Sequence, residues 1–75
     1  MERYLDLDGD SGILAYEIGD TYIRVKFDRT FKIYTYSYQS AGANRVEEMK
    51  RLARGGDGLN SYIKLNANKL YEKQT

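Results

Sequence analysis

Aromatic and basic residues alternate along two stretches of the chain, and no other constellation in the sequence is better suited to chemistry. The stretches are Tyr22-x-Arg24-x-Lys26 and Lys32-x-Tyr34-x-Tyr36-x-Tyr38. Tyrosine rings can stack on unpaired nucleobases while neighbouring cations contact phosphates. The pattern therefore indicates a surface for single-stranded or loop RNA. Protein interfaces are also rich in tyrosine, so a protein partner is the alternative.

Four carboxylates near the N-terminus have the spacing of a calcium-binding loop. Asp6, Asp8, Asp10 and Glu17 occupy positions 1, 3, 5 and 12 of the EF-hand pattern. The position that requires glycine is Ser11, however, and no helix pattern precedes the loop. We interpret the segment as an acidic surface loop and expect no metal site.

Residues for catalysis are missing. The chain has no histidine to activate its serines and no cysteine for thiolate chemistry or disulfides. Gly55-Gly56-Asp57-Gly58 lacks the Lys-Ser/Thr ending of a phosphate-binding loop. We therefore expect a non-enzymatic protein with no catalytic residue and no cofactor.

Length and composition indicate one small domain. The 75 residues are 41% hydrophobic and 13% aromatic, which is apolar enough to fold alone. We assign residues 1–11 to an acidic N-terminal segment and residues 12–71 to the core. The sequence starts without a leader pattern, and no apolar stretch approaches the ~20 residues of a spanning helix. These features predict a cytoplasmic protein that does not enter a membrane.

Charge is distributed unevenly around a net value of +1. Residues 1–20 carry one base and six acids, a balance of −5, whereas residues 21–75 carry eleven bases and five acids, a balance of +6. Most of these charges are typical of a solvated surface, but the basic part is compatible with a phosphate-bearing partner.

Three strands and two helices follow from the hydrophobic pattern. Residues 13–18, 21–27 and 31–38 read as an antiparallel meander, with a turn at Gly19-Asp20 and a second turn at residues 28–30. A short edge strand is expected at Tyr4-Leu5. The fold class is therefore α+β, with a three-stranded sheet packed against two helices in two layers.

The first helix is predicted to begin at an Asn44 N-cap and to stop at Gly55-Gly56. Its expected inward face is Val46, Met49, Leu52 and Ala53, and Glu47 is expected to pair with Arg51. A shorter helix after Asp57 should point Leu59, Tyr62 and Ile63 inward. The tail from Asn66 is ambiguous, although Leu70 and Tyr71 should dock on the core.

The length of the second turn decides where the tyrosines point, because a slip of one residue reverses every side chain of a strand. A three-residue loop places Lys32, Tyr34, Tyr36 and Tyr38 on the open face. We favour it because it keeps Lys32 out of the core. The expected core is then Leu14, Tyr16, Ile18, Ile23, Val25, Phe27, Phe31 and Ile33. A two- or four-residue loop would bury the tyrosines under the helix, as simple strand formers with half-buried rings.

Several short motifs resemble the KTSC domain, a small family named for its occurrence at the C-terminus of some lysyl-tRNA synthetases and also found as free-standing bacterial proteins. The motifs are Ser11-x-Ile13 with Tyr16, Ile23-x-Val25-x-Phe27, Tyr34-Thr35-Tyr36 extended by Tyr38, and Gly56-x-x-Leu59-Asn60-x-x-Ile63. This chain differs from the family pattern in three respects: it has no proline after the third strand, its second hairpin loop is longer, and Leu59 replaces an aromatic residue. The family's function is unknown, and its tRNA-synthetase context implies RNA binding.

The sequence thus predicts an RNA-binding module, with a protein-interaction module that uses the same tyrosines or an exposed sheet edge as the alternative. The candidate nucleic-acid-binding residues are Tyr22, Arg24, Lys26, Lys32, Tyr34, Tyr36 and Tyr38.

Overall fold

The protein is described by a computed structural model over residues 1–7, 9 and 12–75. It is an α+β domain, as predicted. Within the described chain the sheet contains five antiparallel strands in sequential order, with three helices packed against it. The strands are β1 (Glu2–Arg3), β2 (Ile13–Ile18), β3 (Tyr22–Phe27), β4 (Ile33–Ser37) and β5 (Lys73–Gln74). The helices are α1 (Tyr38–Ala41), α2 (Ala43–Gly55) and α3 (Leu59–Tyr62), and α3 continues into a π-helix (Ile63–Ala67).

The first turn lies one residue later than predicted. The Gly19 N–H donates to the Tyr22 carbonyl, so residues 20–21 form the turn. As a result Ile18 pairs with Ile23, which shifts the register by two residues and by itself leaves the predicted faces unchanged. Gly19 also leaves room for the Tyr22 ring, since a Cβ at this position would lie 2.1 Å from it and the ring would have to move.

A β-bulge near the start of β2 reverses two predicted orientations. Ile13 pairs with Phe27 while Ala15 pairs with Lys26, so β2 has one extra residue at Leu14. Leu14 was predicted in the core and is 47% exposed, whereas Ile13 is buried. The prediction for Leu14 is wrong because strict alternation cannot anticipate an inserted residue.

The predicted three-residue second loop is also wrong. Val25 pairs with Tyr34 and Ile23 pairs with Tyr36, which puts both tyrosines on the helix-covered face. The last pair of the hairpin, Lys26 with Ile33, leaves the loop longer than expected. The structure thus has the alternative arrangement, in which the tyrosines of β4 face the helices.

Lys32 was the reason for favouring the shorter loop, and its position shows why that reason fails. Lys32 lies before β4 begins and is exposed at the end of the sheet, so its charge never enters the core. The two apolar residues that the short loop would have buried are not in the core either. Phe31 is 96% exposed, and Ile33 is half-buried on the open face.

Ser37 ends β4 and caps α1. Its hydroxyl accepts from the Ser40 N–H, and the Ser40 hydroxyl accepts from the Ser37 N–H, a reciprocal capping box. Tyr38, expected at the end of a strand, is therefore the first residue of a helix. Helix α2 then begins at Ala43 after Gly42, not at an Asn44 cap.

The inward face of α2 is as predicted. Val46, Met49 and Ala53 are buried against the sheet, and Leu52 is partly buried beside them. The ion pairs of α2 differ from the expected Glu47–Arg51 pair. They join Glu47 with Lys50 and Glu48 with Arg51, each three residues apart.

Gly56 stops α2 as predicted. Its left-handed φ of 74° lets its N–H reach the carbonyls of Leu52 and Ala53. In the following helix Leu59 and Ile63 are buried and Tyr62 is partly buried, which confirms their inward orientation.

Both ends of the described chain add to the sheet and the core. β1 pairs Glu2 with Tyr16, two residues before the expected edge strand. Tyr4 is buried, and its hydroxyl accepts from the Leu59 N–H at 3.3 Å. β5 pairs Lys73 with Thr35. β1 and β5 are the outermost strands of the sheet, and each is only two residues long.

Candidate binding cleft

The predicted aromatic-basic face is divided between the two sides of the sheet. Tyr22, Arg24 and Lys26 lie on the open face, as predicted, and Lys32 is exposed in the loop. Tyr34 and Tyr36 lie on the opposite, helix-covered face, and Tyr36 is only 2% exposed. The prediction that tyrosines and cations share one exposed surface is wrong, because the longer loop moves β4 by one residue relative to β3.

Tyr38 is separated from both groups and has a structural environment. Its hydroxyl donates to Glu47 Oε2 at 2.5 Å, and the Lys50 ammonium lies 5.6 Å from the centre of its ring. The hydrogen bond to Glu47 raises the pKa of the Tyr38 hydroxyl. Lys50 is buried and also donates to the Asp20 carbonyl at 3.0 Å. These contacts connect α1 and α2 to each other and to the first turn of the sheet.

Tyr34 and Tyr36 instead line a half-open cleft of about 440 Å³ between the sheet and the chain that follows α3. This volume lies within the ~300–1,000 Å³ range typical of small-molecule sites. One wall is aromatic and comes from the sheet and Tyr71. The other wall carries Asn60, Ile63 and Lys64.

The rings of the aromatic wall pack edge to face. The centres of the Tyr34 and Tyr71 rings are 4.9 Å apart at an interplanar angle of 85°. Phe27 contacts Tyr34 at 5.4 Å, and Tyr36 contacts Tyr71 at 6.2 Å, both nearly perpendicular. Such edge-to-face pairs are stabilising beyond the area they bury. The Tyr71 hydroxyl is held by the Gln74 side chain at 2.8 Å.

Tyr36 lies deepest in this wall. Burial, followed by the neighbouring Tyr34 and Tyr71 hydroxyls, raises the pKa of Tyr36 to about 12. Its hydroxyl stays protonated at neutral pH and has no hydrogen-bond partner among the described residues. A polar group entering the cleft can supply that partner.

Three positively charged side chains line the cleft, and few negative charges lie near them. Arg29, Lys64 and Lys69 line it and form no ion pair within the described part of the chain. Asp28 is the only acid among the described lining residues. The local balance of +2 contrasts with the net +1 of the whole chain. The cleft therefore favours an anionic ligand.

Irregular backbone places the second wall. The π-helix is wider than an α-helix, and such turns occur frequently at functional sites. Asn68 leaves it with extended geometry, and Lys69 adopts a left-handed φ of 65°. This reversal returns the chain to the sheet, where the Glu72 N–H donates to the Thr35 carbonyl at 2.6 Å. Tyr71 is thereby brought against Tyr34.

Sequence reasoning missed Tyr71, Lys64 and Lys69 as site residues. The expected docking of Leu70 and Tyr71 was the only available signal, and both are indeed packed against the core. The tail has no periodicity that would have placed its cations beside Tyr34.

The described residues contain no group of three or more acidic, cysteine or histidine residues positioned to hold a metal ion. Asp8, Asp10 and Ser11 of the acidic loop lie outside them. No helix in the described chain is long and apolar enough to cross a membrane.

Comparison with protein-family models, curated proteins and solved structures finds no match to this chain. The resemblance to the KTSC domain therefore stays a prediction from the sequence motifs.

Proposed function

We propose that the protein is a non-enzymatic module that binds single-stranded or loop RNA by taking one nucleotide into the cleft. The observation that carries the proposal is the combination of an aromatic wall with three unpaired cations around one cavity. A nucleotide has both required parts, a π-face and a phosphate. The resemblance to a family with a tRNA-synthetase context favours RNA as the source.

The residues suggest a role for each part of the cleft. The base lies against the ring surfaces of Tyr34 and Tyr71, where stacking is tolerant of base identity. Asn60 and Asn68 carry amides that both donate and accept, which suits the edge of a base. Arg29, Lys64 and Lys69 contact the adjoining phosphates.

The proposal predicts weak, moderately salt-dependent binding. Each phosphate contact on single-stranded nucleic acid contributes a slope of roughly −0.7 in log affinity against log salt. Three cations therefore give a slope no steeper than about −2. A protein of net charge +1 adds little non-specific attraction, so we expect micromolar or weaker affinity.

Fluorescence anisotropy with a labelled, short, mixed-sequence RNA tests the proposal. Lys64→Gln should weaken binding roughly fivefold, or about 1 kcal/mol, and reduce the salt slope by about 0.7. Lys26→Gln is the control, because it removes the same charge from the opposite face of the sheet. Equal losses in both variants would show that the cleft has no special role.

A protein partner is the second candidate, and the exposed apolar residues Phe31 and Leu65 favour it. Phe31 follows Thr30 in a loop that lines the cleft, and Leu65 follows Lys64. Exposed aromatic and aliphatic residues of this kind can anchor a protein interface. Strand addition is less favoured, because each free edge is only two residues long. Binding through Phe31 would depend little on salt and would be lost in Phe31→Ser.

A further inference from the structure

A second polar site lies on the open face of the sheet and does not involve the cleft. At its centre is Thr35, in the middle of β4. Thr35 is only 5% exposed, and its hydroxyl has no hydrogen-bond partner among the described residues. Buried hydroxyls are nearly always hydrogen-bonded, so one without a partner calls for an explanation.

The strand register places a cation on each side of this hydroxyl. Arg24 pairs with Thr35 from β3, and Lys73 pairs with Thr35 from β5. Directly opposed residues share a face and have Cβ atoms only ~4.5–5.5 Å apart. Arg24, Thr35 and Lys73 therefore form a row across three strands, with the hydroxyl between two positive charges.

These three residues line a depression of about 390 Å³ whose other walls are mainly polar. Thr21, Tyr22, Ser37 and Glu72 complete its lining. The Ser37 hydroxyl is already engaged as the cap of α1. Thr35, Thr21 and the two cations therefore remain as potential donors to a ligand, and of the two threonines Thr35 is the buried one.

The cations are only partly neutralised. Arg24 has a single long contact with Glu17, 3.6 Å from Nη1 to Oε2, and Glu17 also accepts from the Tyr22 hydroxyl at 3.2 Å. Lys73 forms no ion pair with any described residue. Glu72 is the one acid among the described lining residues. Its negative charge offsets one of the two positive charges of Arg24 and Lys73, so the lining stays net positive.

We propose that this depression binds a phosphate group. The guanidinium of Arg24 can donate two parallel hydrogen bonds, and the ammonium of Lys73 supplies a mobile positive charge. The Thr35 hydroxyl can donate one further hydrogen bond. A phosphate group has enough oxygen atoms to accept hydrogen bonds from all three side chains at once. A carboxylate has only two oxygen atoms and fits this set of donors less well. Inorganic phosphate, a phosphate monoester and a phosphodiester share this chemistry, and each can supply the group.

The test is a ¹H–¹⁵N chemical-shift titration of the full chain with inorganic phosphate at constant ionic strength. We expect saturating shifts at the amides of Arg24, Thr35 and Lys73 in the millimolar range. Thr35→Val should weaken binding roughly fivefold, because it keeps the shape of the side chain and removes the donor. Thr35→Ser keeps the hydroxyl and should bind like the wild type.

Two charge variants test whether the binding depends on the depression itself. Glu72→Gln should tighten phosphate binding, since it removes the opposing charge. Lys64→Gln, in the cleft on the other side of the sheet, should leave phosphate binding unchanged. Titration with dimethyl phosphate and with a sugar monophosphate distinguishes a diester from a monoester as the preferred form, and preferential binding of either supports the proposal. Non-saturating shifts, or equal affinities of the wild type and Thr35→Val, would overturn it.

Discussion

Thr35→Val is expected to stabilise the protein, although it removes a polar group from a position of the site proposed on the open face. Leaving a buried hydroxyl without a partner costs about 1–3 kcal/mol. Valine replaces that hydroxyl with a methyl group of similar shape and is equally suited to a strand. We take the lower end of the range, because the flanking Arg24 and Lys73 side chains can move and admit water. The free energy of unfolding should rise by about 1 kcal/mol, which corresponds to about 4–8 °C in Tm for a domain of this size.

Urea unfolding of three proteins measures this effect. Thr35→Ser is the matched control: it keeps the hydroxyl but loses a buried methyl group, so its free energy of unfolding should fall by about 1 kcal/mol. The m-values should be unchanged, which ensures that the comparison concerns the same two states. A valine variant less stable than the wild type would refute the reasoning, because it would mean that the Thr35 hydroxyl has a stabilising partner in the folded protein.

Two other predictions concern the backbone and the deepest tyrosine. Gly56→Ala should destabilise the protein by about 2 kcal/mol or more, because its φ is 74° and a Cβ would lie 2.5 Å from the Leu5 Cβ. The neighbouring Gly55→Ala has open space and a helical backbone, so urea unfolding should show a gain of up to about 1 kcal/mol, and equal effects at both positions would contradict the argument. For Tyr36, the pKa rises from 10.0 to about 12 on folding, so the unfolded state loses its proton first as the pH increases. The free energy of unfolding should therefore fall by about 2 kcal/mol between these pH values. Tyr36→Phe removes the titrating group, so a pH series of urea unfolding should show a shallower fall for the variant than for the wild type, and equal slopes would disprove the assignment.

The fold class and the core of α2 could be predicted from the sequence because both depend on repeated local signals. Val46, Met49 and Ala53 recur at helical spacing, and Gly56 stops the helix through a conformation that glycine adopts readily. Each of these signals is read within a few residues of the chain. No distant contact is needed to interpret them.

The orientation of β4 could not be predicted in the same way, because its two faces are almost equally apolar. Phe31 and Ile33 on one face compete with Tyr34 and Tyr36 on the other, and a loop one residue longer decides between them. Burial of Tyr36 depends on Tyr71, which lies far along the chain. Alternation within one strand contains no information about such a partner.

The candidate site depended even more on tertiary structure. The sequence drew attention to Tyr34 and Tyr36 but placed them on the wrong surface. The two-residue strands β1 and β5 have no periodicity of their own, and β5 positions both Lys73 beside Thr35 and Tyr71 beside Tyr34. The cleft and the phosphate site are thus both consequences of where the tail docks.

Intermolecular NOEs between a short single-stranded RNA and the labelled protein test the central proposal most directly. If one nucleotide occupies the cleft, base protons should show NOEs to the ring protons of Tyr34 and Tyr71. Saturating shifts should accompany them at the amides of Lys64 and Lys69. Base NOEs confined to Tyr22 on the open face, or no base NOEs at saturating RNA, would contradict the account.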